Sequence, residues 1–381
     1  MRITLPTTLL ALTALAAGAA AQSTFKVPQD FATIQAAVDA ANDQDTILVS
    51  AGTYPENVVI NGGHLLNITG KGKVVIAPAA GDAVKIDASD FVFLTNLRTS
   101  GGDVGFHLVD SSSCQLIKCR VDGSTGDGVR IEGGSSNAVL KVTVEQAGGD
   151  AIDLLKGTAD ATNSTIIGCK LLAPTLDGLG IDGTNTFVSA CKILDAGRDG
   201  IAVDDTTPSA GNSFETCKIL KPARHGLQFA GDNTQVIHCT ITAPGERGVN
   251  FIDGTGGVVQ QTKITKAGEA GIVVGGDGFT LDRAKLSKTT TDGVLIFGDN
   301  VVVQKCTVSA AGVDGYEIQG VGGSFTGNKS SKAGQDGFLL QGSGNTLSAN
   351  KASGSGGFDL DNPVPANNTV DPDNKFKTTG P

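Results

Sequence analysis

The sequence predicts an all-β fold, a solenoid of short parallel strands, and three observations carry that expectation. A pattern G-h-x-h, with h apolar, recurs along most of the chain, as in VGFHL, DGVRI, DGLGI, DGIAV, HGLQF, RGVNF, DGVLI and DGFLL. The aligned positions are 83, 105, 128, 151, 178, 200, 226, 248, 271, 293, 315, 337 and 357, and most neighbours lie 22 or 23 residues apart. The composition supplies 53 glycines, 4% aromatics and no tryptophan, too few large side chains for an ordinary globular core. An apolar content of 39% is nevertheless too high for disorder. A stack of small, regular layers meets both conditions.

The elements follow in chain order. Residues 1–21 read as a secretory signal peptide: Arg2, an apolar run from Leu9 to Ala17, then small residues ending at Ala21. That run is too short to span a bilayer, and no later segment approaches about 20 apolar residues. The expected location is therefore secreted, periplasmic or cell-surface, without membrane insertion. Residues 22–80 read as an N-terminal cap and the first coils. Within them Asp30 is the expected N-cap of an amphipathic helix carrying Phe31, Ile34, Val38 and Ala41 on one face. Such a helix would cover the open edge of the first coil. Residues 81–361 hold the repeats. Each unit carries a second apolar alternation, as in CKLL, CKIL and CTVS, so a unit holds two or three strands separated by turns and no helix. This is one coil of a parallel β-helix. With coils stacked about 4.8 Å apart, about 13 of them make a rod of roughly 60 Å. Residues 362–381 read as a polar tail or cap.

Phase within the repeat sorts the residues into files along the rod. The first and third residues after the aligned glycine are apolar and face inward, as Leu179, Ile181, Ile201 and Val203 do; the second and fourth face outward. Cys169, Cys191, Cys217 and Cys239 share one inward phase in four consecutive coils, with Cys119 and Cys306 at that phase elsewhere. Thiols stacked at the coil spacing are too far apart for disulfides, and no CxxC pair marks a metal site. Cys114 falls outside the phase and reads as a free thiol. Asp before the aligned glycine forms another file at Asp127, Asp177, Asp199, Asp292, Asp314 and Asp336, a turn pair in which Asp bonds backbone amides and Gly takes positive φ. Stacked carboxylates also make Ca²⁺ the one cofactor to consider.

On these features the chain resembles the right-handed parallel β-helix proteins of the pectin-lyase-like superfamily over about residues 25 to 361. Its opening, VPQDFATIQAAVDAANDQDTILVSAGTYPENVVI, is similar to that of many members. Enzymes of that superfamily build their sites on the outer face. The RxPxxR block of pectate lyases and the QDT- and DFIFG-type blocks of pectin esterases do not occur here. The hydrolases of polygalacturonase type carry NTD, DD, GHG and RIK blocks on successive coils, where this chain has TLD at Asp177, RD at Arg198 and Asp199, and RHG at Arg224 to Gly226. Arg198 stands where one of the paired aspartates would be, which removes half of an acid–base pair.

The candidate site centres on RDGIAVDD. Asp199, Asp204, Asp205 and His225 are the candidate catalytic residues, and Arg198, Arg224, Asp177 and Asp182 the candidate substrate-binding ones. Gly180 and Ala202 give it a shallow floor, and insertions at KGTADATN and DTTPSAGN are placed to wall it. Two functions compete: a non-catalytic solenoid that binds polysaccharide or a cell-envelope component, and a polysaccharide lyase or glycoside hydrolase with a divergent site. The net charge of −10 disfavours nucleic acid. It also repels acidic polysaccharides, unless a local basic patch or bridging cation offsets the field.

Overall fold

Stacking of the repeats is the organising fact of the computed structural model, which describes residues 22–62, 65–203 and 209–380. The expected signal peptide lies outside these residues. A typical coil contributes one strand to a fourteen-stranded parallel sheet and two to a twenty-eight-stranded one. The larger sheet is two stacks, the second and third faces of the rod, joined where the long strands Thr46–Tyr54 and Leu66–Ile76 run from one to the other. Each strand pairs in parallel with its equivalent one coil on, so Asp153 lies beside Gly180, Gly180 beside Ala202 and Ala202 beside Gln228.

The inward slots are filled as the pattern predicts. Leu179, Ile181, Ile201, Val203, Leu227 and Val249 are buried, and Phe214, Phe229, Phe251 and Phe279 form an internal stack with centroids 4.5–5.2 Å apart. Tyr316 stacks on Phe338 at 4.6 Å. Aromatics are thus few but concentrated along the axis, where each covers the next. All seven cysteines are buried and reduced. Burial pushes the Cys119 and Cys306 thiols up to about 12, and Cys114 up to about 11. They are inert hydrophobic spacers.

Three expectations change. The helix is Ile34–Ala40, and its N-cap is Thr33, whose Oγ1 accepts from Ala36 N–H at 3.1 Å; Asp30 instead accepts from Lys26 N–H, one turn earlier in the chain. Glu56 completes the cap by accepting from the N–H groups of Ile34 and Gln35, both at 2.9 Å. At the far end Phe338 pairs with Leu360, so the aligned slot of the last coil belongs to Asp359 and not to Gly357; the 22-residue period therefore continues to the end. The third change concerns the glycines. Positive φ occurs mainly at corners between strands, often in non-glycine residues such as Ala190 and Thr216. The aligned glycines are needed for space. A Cβ on Gly200 would lie 2.4 Å from Ile219 Cγ2 and 2.5 Å from the Gly226 carbonyl oxygen.

The fourteen-stranded sheet begins at Val58–Asn61, one coil before the first aligned position, and ends at Leu360–Asp361. The C-terminal segment closes the rod: Thr369–Val370 pairs with Thr346–Ser348, and Phe376 packs on Phe338 at 5.4 Å. Among the described residues no helix is long and apolar enough to cross a membrane.

Candidate functional site

In eight of the coils the residue before the aligned position points along the rod axis and reaches the next coil. Asp127 Oδ1 accepts from Asp150 N–H at 2.8 Å, Asp150 from Asp177 at 2.6 Å, Asp177 from Asp199 at 2.7 Å, and Asp199 from His225 at 2.8 Å. The same link recurs at Asp292, Asp314 and Asp336. The aspartates therefore bond backbone amides, as expected, but one coil away and not within their own turn. A buried N–H without such an acceptor would cost about 1–3 kcal/mol, which explains the repetition.

This ladder absorbs two of the candidate catalytic residues. Asp199 is 0% exposed and His225 is 4% exposed. His225 Nδ1 lies 3.3 Å from the Arg247 N–H and accepts from it, which leaves the ring proton on Nε2, 3.3 Å from Glu246 Oε2. Burial lowers the imidazole's pKa. The ring is thus held neutral in a structural slot. Asp177 is also buried, with its Oδ2 3.3 Å from Arg198 Nη2. Asp204 and Asp205 lie outside the described residues.

The remaining candidates face solvent. Arg224 N–H donates to the Arg198 carbonyl at 2.9 Å, so the two arginines are stacked on neighbouring coils. Arg224 Nε stands 3.9 Å from Glu246 Oε1. Asp182 is half-buried at the far end of Leu179–Ile181. Between these edges lie Gly180 and Ala202, adjacent on neighbouring strands, both small and both buried beneath their neighbours. The insertion after Leu155 folds back towards the N-terminal coils instead of over this floor: Thr158 N–H donates to Asp110 Oδ1 at 2.9 Å, two coils back.

The most distinctive chemistry sits just N-terminal of the predicted centre. The first outward slot, two residues after the aligned position, reads Lys85, His107, Arg130, Asp153 and then Gly180 on consecutive coils. His107 bridges Asp82 Oδ2 (2.7 Å) and Glu132 Oε2 (3.3 Å). Arg130 Nε donates to Asp127 Oδ2 at 2.7 Å. The next coil places Asp150 and Asp153 together, and both lean onto the small-residue floor: a Cβ on Gly180 would lie 2.7 Å from Asp153 Oδ1 and 3.0 Å from Asp150 Oδ2. Burial, reinforced by the neighbouring carboxylates, raises Asp150 to about 7 and Asp153 to about 8. Each therefore carries a proton for part of the time at neutral pH and can both donate and accept a hydrogen bond.

Sequence reasoning missed His107, Arg130 and Asp153, although the signal was present. They are the x residues of GFHL, GVRI and AIDL, three ionisable groups in one outward file. The aspartates before the glycine drew attention because they repeat, whereas these stand out because they do not. Asp127, Asp150 and Asp153 bring carboxylate oxygens within 4.8 Å of one another, as do Asp292, Asp314 and Glu317. Arg130 already neutralises Asp127, and protons compete at Asp150 and Asp153, so Ca²⁺ would have to displace both.

These features, a right-handed coil with three strands per turn and polar groups on the outer face of one sheet, define a parallel β-helix of the pectin-lyase-like kind. The chain belongs to the right handed beta helix region family, whose model matches residues 42–175, 177–278 and 270–379. No curated protein matches it. Among solved structures it is similar to the Siphovirus 9NA tailspike receptor binding domain, at 12% identity and TM-score 0.61 over 88% of this chain and 74% of that one. It is also similar to a PL6 alginate lyase bound to a trisaccharide, at 11% identity and TM-score 0.57, covering 88% and 86%. The A-module of the Azotobacter vinelandii mannuronan C-5 epimerase AlgE4 matches at 15% identity and TM-score 0.55, covering 90% and 94%. At these identities the likeness is one of fold.

Proposed function

We propose that the protein is exported and binds a glycan on the outer face of the fourteen-stranded sheet, without cleaving it. The carrying observation is the narrow, small-residue floor at Gly180 and Ala202, itself buried, overhung by Asp150 and Asp153 on one side and flanked by Arg198 and Arg224 along an edge. A sugar lying on that floor meets half-protonated carboxyls that can donate and accept, as hydroxyl recognition requires, on a rigid backbone that needs no ordering. The non-catalytic reading rests on the ladder, because Asp199 and His225 are committed to backbone amides. Export rests on the leader-like first 21 residues. The trisaccharide held by the structurally similar alginate lyase agrees with a carbohydrate partner.

A catalytic reading survives on one observation: Asp150 and Asp153 form a close carboxyl pair with raised pKa, the kind of environment that supplies a general acid. One experiment separates the two. A panel of neutral and uronate oligosaccharides is titrated by calorimetry, and the same mixtures are assayed for new reducing ends or unsaturated products. Binding without product, lost in Ala202→Leu, supports the proposal. Product formation that disappears in Asp153→Asn replaces it with the enzyme reading.

A further inference from the structure

The edge between the second and third faces carries a file of cations that the fold does not require. The residue after the inward cysteine slot is Lys170, Lys192 and Lys218 on three successive coils, then Thr240, then Lys263 and Lys285, then Thr307, then Lys329 and Lys351. All of these lysines are exposed. The N-terminal continuation, Arg98 and Arg120, is paired with Asp122 and Glu145. From Lys170 onward no ion pair involves the lysines of this file among the described residues.

The interruptions are the telling part. Two residues before each position is a corner residue on the same edge, and at the threonine gaps that corner is basic or imidazole. Lys141 precedes Thr143, His238 precedes Thr240, and Lys305 precedes Thr307; all three corners have left-handed φ near 55°. A gap in one file is filled by its neighbour, so a nitrogen base stands on every coil from Arg98 to Lys351. Shallow depressions lie along this line, one between Lys263, Arg283 and Lys285, another between Lys329, Lys351, Ser331 and Ser353. Stacking like charges directly opposite one another on neighbouring strands is destabilising. At about 4.8 Å per coil they lie well inside a Debye length of about 8 Å. Folding gains nothing from this arrangement in a chain of net charge −10, whereas a polyanion laid along the edge would relieve it.

We infer that this edge binds a linear anionic polysaccharide, a polyuronate or its sulfated equivalent, extended parallel to the rod axis over roughly 40 Å. The file is one residue wide, which suits a single extended chain, and it provides the local basic patch that a net-acidic protein needs to hold an acidic polymer. Single-stranded nucleic acid is the less fitting polyanion because the file offers no aromatic platform for base stacking. The surface is separate from the Gly180–Ala202 floor and stands or falls independently of it.

The test is binding of an end-labelled linear oligogalacturonate to the full chain, followed by fluorescence anisotropy at about 0.05 M and about 0.2 M salt. The wild type is expected to bind, with at least about a tenfold loss at the higher salt. Lys192→Gln/Lys218→Gln should weaken binding several-fold, whereas the charge-matched Lys26→Gln/Lys377→Gln, away from the file, should not. Absence of wild-type binding, or equal losses in the two double variants, would each overturn the assignment. So would an oligothymidylate of matched charge that binds as tightly.

Discussion

Two files of charge run along this rod, and they have opposite meanings. On the first face, aspartates before the aligned positions repeat because each one closes the backbone of the next coil; most are buried, and one carboxylate oxygen of each accepts from an amide. Along the edge of the third face, lysines repeat with similar regularity, but they are exposed and pair with no acid among the described residues. Periodicity alone does not separate structure from recognition. What separates them is whether the side chain's hydrogen-bonding and charge requirements are met within the fold.

That contrast can be broken at several points. The largest effect is expected where the ladder's backbone is tightest. Gly226→Ala places a Cβ 2.4 Å from the Gly248 carbonyl oxygen and 2.5 Å from Ile241 Cγ2, and should cost about 3 kcal/mol in urea unfolding. A loss below about 0.5 kcal/mol would show that the coil spacing is not set by these glycines. Asp199→Ala leaves the His225 N–H without its acceptor and should cost about 1–3 kcal/mol, while Asp199→Asn keeps an oxygen in place and should cost less. Equal costs would mean that charge, not the acceptor, is what the slot needs.

A smaller effect tests the carboxyl pair. Asp153 is raised from 3.8 to about 8 in the folded chain, so the folded state binds the proton more tightly than the unfolded one. Its contribution is fully present below pH about 4 and is lost as pH rises through about 8. Asp153→Asn should therefore melt higher than the wild type at pH 9, and the gap should close towards pH 4. A gap independent of pH would remove Asp153 as a titrating group. The smallest effect belongs to the lysine file: Lys192→Gln/Lys218→Gln should change stability by no more than about 0.5 kcal/mol. A larger loss would make the lysines structural after all.

The fold was legible in the sequence because a 22-residue period fixes every inward slot, and Leu179, Ile201 and Phe229 are buried as that phase requires. The site was only partly legible. Phase placed Arg198 and Arg224 on the outer surface, whereas Gly180 and Ala202 are buried, and it could not show that Asp199 and His225 turn along the axis to meet the next coil. That direction is set by the backbone at the turn, which the alternation of apolar residues does not encode. His107, Arg130 and Asp153 were visible as an outward file, yet their coupling with Asp82, Asp127 and Asp150 depends on contacts between coils. The lysine file is visible in the pairs Cys169–Lys170, Cys191–Lys192 and Cys217–Lys218, but that its members share one exposed edge follows only from the pairing of the coils.

The central claim is that the ladder is structural and that the small-residue floor beside it is the site. Calorimetric titration of whichever oligosaccharide binds the wild type, repeated with Asp199→Asn and with Ala202→Leu, tests it most directly. The account predicts that Asp199→Asn keeps near-wild-type affinity and that Ala202→Leu, which fills the floor, loses it by about tenfold or more, since about 1.4 kcal/mol of lost contact suffices. The opposite result, with affinity lost in Asp199→Asn and kept in Ala202→Leu, would contradict it.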